Sequence, residues 1–315
     1  MKQTIALIGI PSSAGAHWPG QEKAPGYLRE TGLAAQLEAV GLEVIDYGDL
    51  PRVRFQPDKE HRQGQNLDKV VEVCQRVADQ VDLALQQDAI PLVIGGDCTI
   101  SLGVIAGYLR HAEELNLLYF DGHVDLNTPA TSPSGIFDSM GIAHMLGEPG
   151  TADELSHLGV RYPLMVEGQI YMFGYNPDEL NATEREALAR HRLQGYPLAE
   201  VQGRAEQATR EAVKFLEERG ERFLLHFDVD VIDFIDFPIA DVPQFNQGLT
   251  FREAMACLAV FAASANFGGL VITEFNPDHA DEEGILARTF VEELVSSLVG
   301  SDVRGAVMSP PSKFI

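Results

Sequence analysis

Asn116-Leu-Leu-Tyr-Phe-Asp-Gly-His-Val-Asp125 runs from an unbroken apolar stretch of strand length into side chains that bind protons and metals. A second stretch, Arg222-Phe-Leu-Leu-His-Phe-Asp-Val-Asp230, is built in the same way. Strands of a parallel sheet covered on both faces read as such continuous apolar runs, whereas strands with one wet face alternate. Working outward, similar runs recur at Thr4–Ile10, Glu43–Tyr47, Ile90–Ile94, Gln169–Phe173 and Gly269–Thr273. Helical patterns lie between them, near Ala24–Ala39, Leu67–Gln87, Thr99–His111, Glu179–His191, Gly203–Glu218, Thr250–Ala263 and Glu282–Val299. The alternation predicts an α/β fold, three-layer αβα around a mostly parallel central sheet. No Gly/Ser linker and no repeat of fixed period interrupts it, so residues 1–315 read as one domain.

Hydrophobic residues make up 45% of the chain and charged ones 22%, the profile of a protein with a sizeable core. Lysine and arginine total 23 against 47 acidic residues, a net charge of −24. That balance speaks against nucleic acid and anionic membrane as partners, since both need a basic patch. It suits a cationic substrate or metal ions, and it equally suits simple solubility. Cys74, Cys98 and Cys257 are widely spaced and odd in number, so no disulfide framework is expected and a reducing cytoplasm is. The opening MKQTIALIGIPSS reads as a first strand rather than a signal peptide. No apolar stretch approaches the roughly 20 residues of a membrane-spanning helix.

Irregular segments rich in Gly, Pro, Ser, Asn and Asp follow several strands, at 14–25, 127–137, 175–178 and 233–248. In open α/β sheets the ligand crevice lies at the carboxyl ends of the strands. Residues two apart on a strand point the same way. Asp121, His123 and Asp125 therefore share a direction if extended geometry persists past Phe120, and so do Asp228 and Asp230. A lone Asp-x-Asp is most often a turn or a cap. Four carboxylates and an imidazole converging from two strand ends are another matter, because buried like charges repel unless cations intervene. Carboxylate-rich sites with a little imidazole suit Mn²⁺ or similar ions.

These segments resemble the signatures of the arginase, agmatinase and formimidoylglutamase (ureohydrolase) family. There, Asp-Ala-His-x-Asp and Ser-Phe-Asp-Val-Asp motifs hold two Mn²⁺ ions bridged by hydroxide. Here they read Asp121-Gly-His-Val-Asp125 and His226-Phe-Asp-Val-Asp230. Ile8-Gly-Ile-Pro11 with Gly20 and Leu28-Arg29, Gly248-Leu-Thr-Phe-Arg252 and Glu274-Phe-Asn-Pro277 look like further family segments in the family's order. The resemblance implies that Asp121 and Asp228 bridge both metals. Asp125 then completes one shell, and His123 and Asp230 the other. It implies that Glu274 pairs with a substrate guanidinium and that Asn127 and Ser134 receive an α-carboxylate. Asp178 would meet the α-amino group, and Thr250 would lie near the departing urea. The implied reaction is hydrolysis of a guanidino or amidino C–N bond, releasing urea and an amine from arginine or a modified arginine. Agmatine or an amidine such as formimidoylglutamate would be the substrate otherwise. A homo-oligomer, trimer or hexamer, is implied by the same analogy.

Two positions leave the pattern. The family's Gly-Gly-Asp-His motif, which supplies a histidine ligand, here reads Gly95-Gly-Asp-Cys98. Cys98 either binds metal as a soft thiolate, favouring Zn²⁺ or Fe²⁺ over Mn²⁺, or stays a buried thiol and weakens one site. Asp138 stands where arginases carry a histidine thought to shuttle protons. It could relay protons itself or recognise a cation. These two departures keep open a metal-poor, non-catalytic homologue that binds or regulates. His144 could replace the missing shuttle, although a packed or surface histidine is the plainer reading. His226, by alternation, points with Asp228 and could support the ligands from behind. His17 and Trp18 have the bulk to shape a substrate mouth, or serve structure alone.

Overall fold

The computed structural model describes residues 4–299 apart from 113, 220, 221 and 282; the one-domain reading of 1–315 extends beyond these at both ends. The seven apolar runs form strands, and one further short strand joins them: β1 Thr4–Gly9, β2 Glu43–Asp49, β3 Ile90–Ile94, β4 Asn116–Phe120, β5 Ile170–Phe173, β6 Gln194–Tyr196, β7 Phe223–Asp228 and β8 Phe267–Thr273. They make one sheet in the order β2-β1-β3-β8-β7-β4-β5-β6. Every named strand pair is parallel. The expected mostly parallel sheet is thus parallel throughout.

Alternation along the strands divides the core into two layers. Leu118, Phe120, Leu225 and Phe227 pack on one face with helices Ala24–Glu30, Leu33–Ala39, Ala205–Glu217, Phe251–Ala262 and Ile285–Leu298. Leu117, Tyr119, Leu224 and Val271 pack on the other with helices Leu67–Leu85, Ile100–Tyr108 and Gly141–Leu146. This is the three-layer arrangement that the pattern predicted.

Two local differences have clear causes. The helix expected over Ala24–Ala39 is two helices, because Gly32 between them adopts φ +88°, a left-handed conformation that ends the first. Strand β6 went unread because Gln194-Gly-Tyr196 is three residues at the sheet edge, with no apolar run to announce it.

The sheet order matters for function. The four central strands are β3, β8, β7 and β4, and their carboxyl ends deliver Cys98, Glu274, Asp228 with Asp230, and Asp121 with His123. The turn after β3 must pass very close to the first loop. A Cβ on Gly96 would lie 1.5 Å from the Ser12 carbonyl oxygen, so only glycine lets Cys98 take its place.

Candidate metal centre

Extended geometry stops at Phe120 on β4, so strict strand alternation does not aim the three ligand-type residues after it. Asp121 directly follows the strand, and its Oδ1 accepts a hydrogen bond from the His123 amide at 2.6 Å. Asp125 adopts φ +47°, and its carboxylate accepts a hydrogen bond from the Tyr119 hydroxyl. After β7 a single 3₁₀ turn, Val229–Val231, brings Asp230 back beside Asp228. The Asp228 Oδ1 accepts the Asp230 amide at 2.8 Å.

Two donor groups result, and Asp121 belongs to both. Its Oδ1 faces His123 Nδ1 at 3.7 Å, and that nitrogen lies 2.8 Å from Asp230 Oδ2. Its Oδ2 turns the other way, towards Cys98, His226 and Asp228. Cys98 Sγ lies 2.6 Å from Asp228 Oδ2. A third grouping, Cys98 with Asp138 and Glu274, adjoins these; each offers a ligand atom within 4.8 Å of the others. Asp125 is buried in the same pocket wall but stands outside all three groupings, its carboxylate turned to Tyr119.

The electrostatics follow from crowding. Burial first, then Asp230 and Asp121, push the Asp228 carboxyl well above the usual range. Burial and the carboxylates of Asp138, Asp241 and Asp228 do the same to Glu274. Burial and neighbouring Asp97 raise Asp138, while burial, Asp121 and Asp138 raise Asp125. Burial also pushes the Cys98 thiol up, reinforced by Asp228. Asp121 is the exception. Burial alone would raise it, but the imidazoles of His123 and His226 hold it at about 2. Glu274 stands out again in its geometry: both carboxylate oxygens are buried without a hydrogen-bond partner, on a residue at φ +62°. A fully buried, unpaired carboxylate on a left-handed backbone is costly unless a cation meets it.

A pH dependence follows for the metal-free protein. Above about pH 7 His144 and His17, which burial pushes down (His144 to about 4), are neutral in folded and unfolded chains alike. The groups still titrating in the native state then have raised values, so the folded chain holds more protons than the unfolded one. Stability must fall as pH rises, by ~1.4 kcal/mol per pH unit for each excess proton. Thermal melts in chelator should show a lower Tm at pH 9 than at pH 7, and saturating Mn²⁺ should remove or reverse the slope. A metal-free Tm that rises over this interval would contradict the crowding.

A pocket of about 410 Å³ opens over the cluster. Cys98, Asp121, His123, Asp125, Asp138, Asp228, Asp230 and Glu274 line it, and so do Asn127 and Ser134. The pocket does not gather Asp178 or Thr250. Asp178 is exposed on the loop after β5, its amide held by the Asn176 side chain. Thr250 is exposed and caps the helix Phe251–Ala262, accepting the Glu253 amide while Glu253 accepts its own. Thr250→Ala should therefore cost about 1 kcal/mol of stability, a Tm drop of about 2 °C, with KM and kcat unchanged. A selective loss of turnover would place it back in the site. His144 is packed, with Met140 O on Nδ1 and the Ala152 amide on Nε2, so it has no free nitrogen for proton transfer. His17 lines the pocket and Trp18 beside it is largely exposed.

The Arginase family model matches residues 3–298. The chain belongs to the arginase family. Arginase from Bacillus caldovelox is 30% identical over 94% of this chain and 98% of its own length. Arginase from Brevibacillus brevis is 31% identical over 95% and 99%. The crystal structure of arginase from Bacillus cereus superposes with a TM-score of 0.85 at 28% identity, covering 95% of this chain and 99% of that one. The sequence did not point to Glu184, Asn181 or Gln244 around this site. Glu184 and Asn181 line the wall, joined to Asn127 by hydrogen bonds of 2.8 and 2.9 Å. Gln244 holds the far side of the His123 ring at 2.9 Å. His226, read as a support, turns its Nε2 into the Cys98 group. Glu184 was legible only as part of the capping box Asn181-x-x-Glu184, a structural signal.

Proposed function

We propose that this chain is a divalent-metal-dependent hydrolase that cleaves a guanidino or amidino C–N bond, with arginine or a modified arginine as the preferred substrate. The observation that carries the reading is Glu274, a buried carboxylate with two unpaired oxygens, opening onto the pocket that the donor groups share. The donor chemistry fits a pair of divalent cations. Asp121 reaches both groups; Cys98 and Asp228 belong to one, and His123 and Asp230 to the other. Asp125 stands close enough to Asp121 to feel its charge and is proposed to complete a shell. Mn²⁺ is the ion we propose, at least for the oxygen-rich group. When bound, such ions acidify a water at neutral pH and stabilise charge developing at the attacked carbon.

The protein's own groups do the rest. A guanidinium is planar and presents paired N–H donors, which suits the two free oxygens of Glu274. Asp138 accepts the Cys98 amide at 2.7 Å, and burial with neighbouring charge raises both its carboxyl and that of Glu274, which favours a proton on one of the two. An arriving guanidinium keeps Glu274 charged and leaves that proton on Asp138, which can pass it to the departing nitrogen. Asn127 and Ser134 line the same pocket, and we read them as the groups that meet the substrate's other end.

A second substrate reading rests on a specific contact. The Asn127 Nδ2 donates to Glu184 Oε1, and Glu179 lines the same wall, so this end is more acidic than a carboxylate would favour. That arrangement suits agmatine. A screen of guanidino and amidino compounds with several divalent ions, scored for urea and amine release, tests both readings. Activity on neither class, with metal bound, would leave the non-catalytic homologue. Ser134→Ala should raise KM for arginine about tenfold with little change in kcat, the loss of one uniform binding contact. An unchanged KM would favour the carboxylate-free substrate. The free, buried cysteines are consistent with a cytoplasmic protein, and no described helix is long and apolar enough to cross a membrane. We further read the chain as one domain that assembles into a homo-oligomer, a trimer or hexamer.

A further inference from the structure

His226 is fully buried on β7, on the same side of the sheet as Asp228. Its ring lies flat against Tyr119 of the adjacent strand, with centroids 4.0 Å apart and planes 4° from parallel. The Ser101 hydroxyl sits 2.7 Å from Nδ1. Stacking fixes the ring plane, and the hydroxyl occupies one nitrogen.

The other nitrogen has no bond of ordinary length. Nε2 lies 3.4 Å from Asp121 Oδ2, 3.5 Å from Thr273 Oγ1 and 3.7 Å from Cys98 Sγ, whereas an N–H···O bond spans about 2.7–3.2 Å. A histidine kept only for packing would have little reason to leave a buried nitrogen so poorly met. A metal ligand would, because a metal-bound imidazole uses one nitrogen on the ion and fixes the other by a hydrogen bond.

The spacing supports the same conclusion. A tetrahedral cation with bonds of about 2.0–2.3 Å holds its ligand atoms roughly 3.3–3.8 Å apart. Cys98 Sγ to His226 Nε2 and His226 Nε2 to Asp121 Oδ2 fall inside that interval, and Cys98 Sγ to Asp121 Oδ2, at 4.0 Å, lies just above it. The short contact, Cys98 Sγ to Asp228 Oδ2, is the thiol's hydrogen bond to the carboxylate. On metal binding it would open, the thiol proton leaving to solvent and the cation taking its place.

We propose that His226 is a metal ligand, and that Cys98, Asp121, His226 and Asp228 form a sulfur–nitrogen–oxygen site selective for Zn²⁺ or Fe²⁺ over Mn²⁺. The inference rests on the two-metal reading above and makes the pair chemically unequal. Thiolate and imidazole favour the softer ion, and the Asp121–His123–Asp230 group keeps the harder one.

The test uses full-length protein loaded with less than one equivalent of Zn²⁺ and X-ray absorption at the zinc edge. Wild type should show one sulfur at about 2.3 Å together with imidazole scattering. His123→Gln removes the neighbouring imidazole, and the sulfur and imidazole signals should both persist. His226→Gln should lose the imidazole contribution, keep the sulfur, and bind Zn²⁺ at least tenfold more weakly. Its Mn²⁺ affinity at the other group should be retained, which also shows that the variant is folded. Zinc without sulfur, or an imidazole signal that vanishes in His123→Gln and survives in His226→Gln, would overturn the assignment while leaving two metals bound. A wild-type protein that binds neither Zn²⁺ nor Mn²⁺ would instead defeat the two-metal reading itself.

Discussion

Asp121→Ala is expected to abolish urea release and to leave less than one tightly bound divalent ion per chain. The reason is the orientation of one carboxylate. Oδ1 serves the His123 and Asp230 side, Oδ2 serves the Cys98, His226 and Asp228 side, and the residue is 1% exposed, so water cannot fill in for it at little cost. Losing either ion removes several kcal/mol of transition-state stabilisation, so turnover should fall by on the order of 10³-fold or more. Metal analysis after dialysis, beside assays in excess Mn²⁺, checks both halves. Two ions retained per chain, or a loss of activity that excess Mn²⁺ fully restores, would show that Asp121 is not the shared ligand.

Glu274→Gln should move activity and stability in opposite directions. In the presence of substrate the carboxylate faces a planar cation, and removing one partner of a buried charge pair costs about 2–5 kcal/mol. The specificity constant kcat/KM for a guanidino substrate should fall roughly 10²–10³-fold. Without substrate, the same carboxylate is buried, unpaired and pressed against Asp138 and Asp228. Neutralising it relieves an uncompensated group, so the metal-free variant should be about 1–3 kcal/mol more stable than wild type. Thermal melts in chelator and steady-state kinetics in Mn²⁺ read the two effects separately. A variant less stable than wild type, with kcat/KM intact, would mean that Glu274 serves the fold.

The fold was legible because buried parallel strands have to be apolar on both faces. Ile90–Ile94 and Asn116–Phe120 could be bounded to the residue for that reason. Gln194–Tyr196 could not, since a short edge strand takes its structure from its neighbour. The cluster was legible because carboxylates and histidine at strand ends are rare without cations. What the pattern could not show was direction. Asp121 splits its two oxygens between groups, Asp125 turns on a left-handed backbone to Tyr119, and Thr250 caps the start of a helix; each depends on tertiary placement. His226 shows the same limit from the other side. Alternation aimed it correctly, but only the packing of Ser101 and Tyr119 reveals which nitrogen is left over.

The order of the central strands also governs when the donor groups can come together during folding. β8 is the last of the described strands in sequence, yet it lies between β3 and β7 in the middle of the sheet, and Thr273 at its end touches Cys98 from 175 positions away. Until β8 inserts, β3 and β7 have unpaired edges towards the gap, and Cys98 has no fixed relation to Asp121, His226 and Asp228. Such distant pairings form late, because the chain must close long loops before any contact rewards it. A chain in which β8 has not yet inserted therefore lacks the coordination proposed above. On the two-metal reading, ion binding would then follow β8 insertion, and a shortage of the ion would leave assembled apoprotein rather than unfinished chains.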